Sequence, residues 1–126
     1  MDLGNSRRVL GVLGELSSHV VQLIGLKDER ITRSLAMRYL TVKISLTLRS
    51  FCEVEFGSPA ECVKKIAENL GEDRSSLIDN LLRVGEELIH GGDEVTDKFL
   101  ERLLKQVPEL YVRLERVLQG EYRESN

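Results

Sequence analysis

Tryptophan is absent, and three Tyr and three Phe bring the aromatic share to only 5%. That leaves little material for the stacking platforms on which single-stranded nucleic acids lie. Proline occurs twice in 126 residues, which favours helices over a loop-rich chain. The two cysteines, Cys52 and Cys62, lack CxxC spacing and companion ligands, so a zinc site is not expected. Buried free thiols are the default expectation, with a disulfide the alternative for a protein from a hot environment. There are two histidines, His19 and His90, and no carboxylate cluster at metal spacing, so neither a metal nor a cofactor is expected. No apolar run approaches the roughly 20 residues that span a bilayer. The apolar stretch after Arg7-Arg8 is broken by Glu15, Ser17, Ser18 and His19, so no export signal is read. The expectation is a cytoplasmic protein without membrane association.

What is present is a chain of 41% hydrophobic and 31% charged residues, a balance that supports a folded core. It is read as one helical domain over 1–120, followed by a polar tail over 121–126. The net charge of −3 argues against a general nucleic-acid coating protein. The charge is uneven: residues 1–50 carry +4 and residues 51–126 carry −7. Lys27, Arg30, Arg33 and Arg38 cluster about the start of the second helix and form a candidate RNA-binding patch, weighed against an ordinary solvated helix face.

Apolar residues recur at helical steps along most of the chain. Residues 6–24 form a first amphipathic helix, capped by Asn5 or Ser6, with Gly11 and Gly14 as candidate points of close packing. Residues 29–56 carry two apolar rows, Leu35/Tyr39/Val42/Leu46 and Leu40/Ile44/Leu48/Phe51, beside a polar row Ser34/Arg38/Thr41/Ser45/Arg49. Wide apolar coverage predicts a long helix central to the fold. Ser58-Pro59-Ala60-Glu61 is a capping box with proline at the first helical position, starting a helix that Gly71 ends. Asp73 is expected to cap a fourth helix over 74–90, stopped by Gly91-Gly92. A final helix from Asp93 or Thr96 should be kinked or split at Pro108. The fold class is all-α, an antiparallel up-and-down bundle of about five helices.

One local constellation has the makings of chemistry. Arg83 and His90 are seven residues apart and so share one helix face. A guanidinium holds phosphate through a bidentate fork, and an imidazole transfers protons near neutral pH. Glu86 lies between them as a supporting residue that orients His90. The competing reading is a surface ion pair at Arg83 and a helix C-terminal cation at His90.

The run from Leu82-Arg83 through His90-Gly91, followed by Asp93-Glu94-Val95 and a helix containing Val107-Pro108-Glu109-Leu110, resembles the HEPN superfamily, in particular HepT-like proteins. The resemblance extends over about residues 30–118. In this chain Val84 follows the arginine where the family usually has a polar residue, and Asp93 stands where a tyrosine is common. The resemblance implies a metal-independent endoribonuclease or toxin subunit, acting as a homodimer and paired with a minimal nucleotidyltransferase as antitoxin. Arg83 would then bind the scissile phosphate and His90 act as acid or base towards RNA. The alternative is a non-catalytic helical protein that binds a second copy or a nucleotidyltransferase-like partner.

Overall fold

A computed structural model of the chain describes residues 3–26 and 30–120. Among these the fold is all-α, a bundle of six helical segments: α1 (Leu3–Gly25), α2 (Arg30–Phe56), α3 (Pro59–Leu70), α4 (Glu72–Ile89), α5 (Asp97–Lys105) and α6 (Val107–Leu118). The count exceeds five because the expected last helix is split. Pro108 supplies no N–H to a preceding turn, and Gln106 ends α5 while preceding α6.

Local sequence accounts for most of the boundaries. Ser58 is extended at the N-cap of α3, and its hydroxyl accepts from the Glu61 N–H at 3.1 Å, with Pro59 at the first helical position. Thr96 caps α5 in the same way through the Phe99 N–H. Two expected caps are corrected. Asp73 does not cap α4, because Gly71, at φ +99°, ends α3 and turns directly into α4. Ser6 does not cap α1; it is buried one turn inside the helix and donates to Glu55 of α2 at 2.7 Å. That bond joins the start of α1 to the end of α2, so the two run antiparallel.

α2 packs on α1, α3, α4 and α5, as its length and apolar content predict. Its faces are used differently from what polarity alone suggests. The row Leu40/Ile44/Leu48/Phe51 is in the core. The polar row is also turned inward. Thr41 and Ser45 are buried, with Thr41 donating to the Met37 carbonyl and Ser45 to the Leu82 carbonyl of α4. A hydroxyl that bonds a helix carbonyl leaves no orphaned donor, so small Ser and Thr are tolerated where helices meet. The other apolar row stays outside, with Leu35 64%, Tyr39 63% and Leu46 48% exposed.

Two glycines set helix separations. A Cβ added to Gly85 of α4 would fall within the side chain of Ser45, so α2 and α4 are as close as two helices with these residues can be. A Cβ on Gly14 would lie 2.8 Å from the Tyr111 ring, which packs α6 over α1. Gly11 meets nothing within 4 Å and marks no close packing.

Cys52 and Cys62 form a disulfide rather than the default free thiols. The capping box turns the chain back at 57–58 and brings the two Cα atoms within 5.1 Å. The bond ties α3 to α2 in the core, where both cysteines are fully buried.

Gly85→Ala should lower stability by about 1–3 kcal/mol despite its better helix propensity, because Ser45 has no room to move. The swap Ser45→Gly with Gly85→Ala restores the space and should recover most of the loss in a denaturant titration. Replacing both cysteines with serine should cost about 2–3 kcal/mol for a closed loop of this size. The same loss should follow reduction once the bond is opened, read as a fall in melting temperature with and without reductant.

Candidate active site on the fourth helix

Arg83 and His90 share the outer face of α4 and are among its most open side chains, 67% and 74% exposed. Gly85 and Val84 turn inward at the same turns, so the helix fixes by its own periodicity which side chains reach solvent. Arg83 is held by neighbours one turn back, with Nη2 donating to Asn80 Oδ1 at 2.7 Å and Nε 3.2 Å from Asp79 Oδ2. Both contacts are solvent-accessible and weak enough to exchange for an anionic ligand.

His90 closes α4. Its backbone N–H donates to the Glu86 and Glu87 carbonyls, and its ring folds back so that Nδ1 lies 2.8 Å from the Glu86 carbonyl oxygen. A carbonyl only accepts, so Nδ1 carries the proton and Nε2 is left to take or give one. The same carbonyl suits the imidazolium, because Nδ1 remains a donor in both states. This is also the arrangement of a helix C-terminal cation, in which protonated His90 meets the negative end of the dipole. The geometry therefore serves both the chemical role and the structural one.

Glu86 is at the centre of a short chain of charges. Its Oε2 is 3.7 Å from His90 Nδ1, and its Oε1 is 3.8 Å from Arg49 Nη2 of α2. Arg49 was placed in the polar row of α2 by its spacing, and nothing in the linear sequence tied it to this site. The Ser45–Gly85 contact brings it there by fixing how closely the two helices approach.

The expected basic patch is spent on other contacts. Arg33 pairs with Glu101 at 2.6 Å and donates to the Leu26 carbonyl. Arg38 donates to the Val95 carbonyl at 2.7 Å and lies 3.5 Å from Asp97. Both are partly covered and lock α2 to α5 and its leading loop. Lys27 lies outside the described residues, as does the side chain of Arg30. Among the described residues no group of three or more His, Cys, Asp or Glu is placed to hold a metal ion. Among them also, no helix is long and apolar enough to cross a membrane.

No protein-family model matches the chain, and neither a curated protein nor a solved structure does.

The Arg33 guanidinium, and secondarily Lys105, hold the Glu101 carboxyl below its usual range by hydrogen bonding. A carboxyl depressed in the folded state contributes stability above its unfolded pKa, near 4.3, and loses it as pH falls through the folded value. Melting temperature should therefore drop on acidification below about pH 4.3. Glu101→Gln should be less stable at neutral pH and should flatten that part of the profile.

Proposed function

We propose that the chain is a metal-independent endoribonuclease of the HEPN type, working as a homodimer through Arg83 and His90. The observation that carries this reading is the fixed His90 ring, with Nδ1 held by the Glu86 carbonyl and Nε2 left available, on the same open face as a guanidinium. In the reaction a 2′-hydroxyl attacks the adjacent phosphorus and the bond from phosphorus to the 5′-oxygen breaks. The products are a 2′,3′-cyclic phosphate and a 5′-hydroxyl. Arg83 exchanges Asp79 for the phosphate and stabilises the charge that develops on its oxygens. His90 takes the 2′-hydroxyl proton on Nε2, with Glu86 supporting the resulting imidazolium, and then delivers that proton from Nε2 to the leaving 5′-oxygen. Arg49, drawn in by Glu86, adds positive charge beside the site.

An active face this open on one chain excludes little water, which is a reason for a second surface to complete it. The resemblance supplies a second copy for that role and a minimal nucleotidyltransferase as the partner that would silence it. The alternative function, a non-catalytic helical interaction protein, draws its support from the exposed apolar row of α2.

The test is cleavage of varied RNAs in EDTA by the wild type, Arg83→Ala and His90→Ala. Both residues are exposed, so each variant should melt within about 0.5 kcal/mol of the wild type. Loss of about 100-fold or more in rate for each, with cyclic-phosphate ends on the wild-type products, is expected. A folded wild type that leaves every RNA intact overturns the catalytic reading in favour of the interaction protein.

A further inference from the structure

α2 carries apolar residues on two opposite faces, and the fold covers one of them. A helix that is apolar on both sides is normally buried on both sides. On the open side Leu35, Tyr39, Val42 and Leu46 follow one another at steps of four, three and four, the spacing of a seam between two helices. Leu35, Tyr39 and Leu46 are half to two-thirds exposed, and with Val42 they present roughly 300–400 Å² of contiguous surface, in the range of patches that mark contact sites on single chains. That is nearly half of the roughly 800 Å² each partner gives to an interface of standard size.

The spacing also says what fits. Steps of four, three and four read the same from either end, so an antiparallel copy of this helix keeps every position in register. Leu35 then faces the partner's Leu46, and Tyr39 faces the partner's Val42. The charged residues Arg49 and Glu53 end the row, and Lys43 flanks it with its ammonium 5.7 Å from the centre of the Tyr39 ring. We infer that this row is a self-complementary seam through which α2 of one protomer pairs antiparallel with α2 of a second copy about a two-fold axis between residues 40 and 41.

Such an axis is perpendicular to the paired helices and keeps each flank of α2 on its own side. α4 packs against the polar row on one flank, where Ser45 meets Gly85 and Arg49 meets Glu86. The pairing therefore carries the α4 helices of both protomers to the same edge of the seam. The seam stands whether or not Arg83 and His90 cleave RNA, because nothing in it depends on their chemistry.

Sedimentation velocity on the full chain across micromolar to millimolar concentrations should give a species of twice the 14.3 kDa chain. Tyr39→Glu and Leu46→Glu, at positions exposed in the protomer, should weaken association at least tenfold without lowering helicity. Val112→Glu, on a comparably exposed valine of α6, should leave it unchanged. Register is read by a short bis-maleimide crosslinker, since the native cysteines are bonded and buried. In the proposed pairing, position 39 is offset from its mate by three residues, about 4.5 Å along the axis, and position 35 by eleven, about 16 Å. Tyr39→Cys should crosslink and Leu35→Cys should not. A chain that stays monomeric throughout, a dimer indifferent to Tyr39→Glu, or equal crosslinking at both positions overturns the proposal. RNA cleavage measured on the same samples separates failure of the seam from failure of the nuclease reading.

Discussion

The contact between Ser45 and Gly85 sets the geometry of this molecule. Removing a side chain on α4 and keeping one of two heavy atoms on α2 lets the helices approach until the Ser45 hydroxyl reaches the Leu82 carbonyl at 3.4 Å. The price of glycine in a helix interior is about 1 kcal/mol. What it secures is close packing on both sides of the contact, with Leu48, Ile78, Leu81 and Leu82 all in the core. The candidate site inherits its form from the same contact. Arg49 reaches Glu86, one residue beyond Gly85, and Glu86 in turn faces His90. A wider separation between α2 and α4 would leave Glu86 without Arg49.

Where sequence and structure agree, the signal was local. Ser58-Pro59-Ala60-Glu61 specifies the start of α3 through one hydroxyl and one missing N–H, and both act within four residues. The split at Pro108 is equally local. The use of α2's faces was not legible, because periodicity shows which residues share a face and says nothing about which face a neighbour covers. Two rows on α2 had equal claims to the core. The decision lay with Gly85, which made the Ser45 side the one that α4 approaches. In the site, the shared face of Arg83 and His90 was legible from the helical repeat, whereas Arg49 was not, since its place depends on a contact between residues forty positions apart.

The charge asymmetry between the two halves of the chain acquires a meaning in the fold. The excess of cations in residues 1–50 invites a phosphate ligand when read in one dimension. In three dimensions Arg33 meets Glu101, Arg38 meets Asp97 and Arg49 meets Glu86, so each joins the basic half to the acidic half. Pairs this exposed contribute little to stability, at most about 1 kcal/mol each. Their effect is on register: each guanidinium reaches one acid, and a slip of a helix turn would misplace several pairs together.

Arg83 follows a different rule. Its partners Asp79 and Asn80 are one turn back on α4, so it ties no helix to another and can leave them without disturbing the bundle. His90 likewise bonds its own helix. A side chain that holds the fold together is a poor choice for a ligand, because binding would have to undo structural contacts. By that criterion Arg33 and Arg38 belong to the architecture, and Arg83 with His90 are the pair free to act on something outside it. The exposed row of α2 meets the same criterion for a protein surface: burying Leu35, Tyr39 and Leu46 breaks no tie between helices, since the Lys43 ammonium over the Tyr39 ring belongs to α2 itself. The two unspent features lie on α2 and α4, the helices that Ser45 and Gly85 join, so whatever covers one is held at a fixed distance from the other.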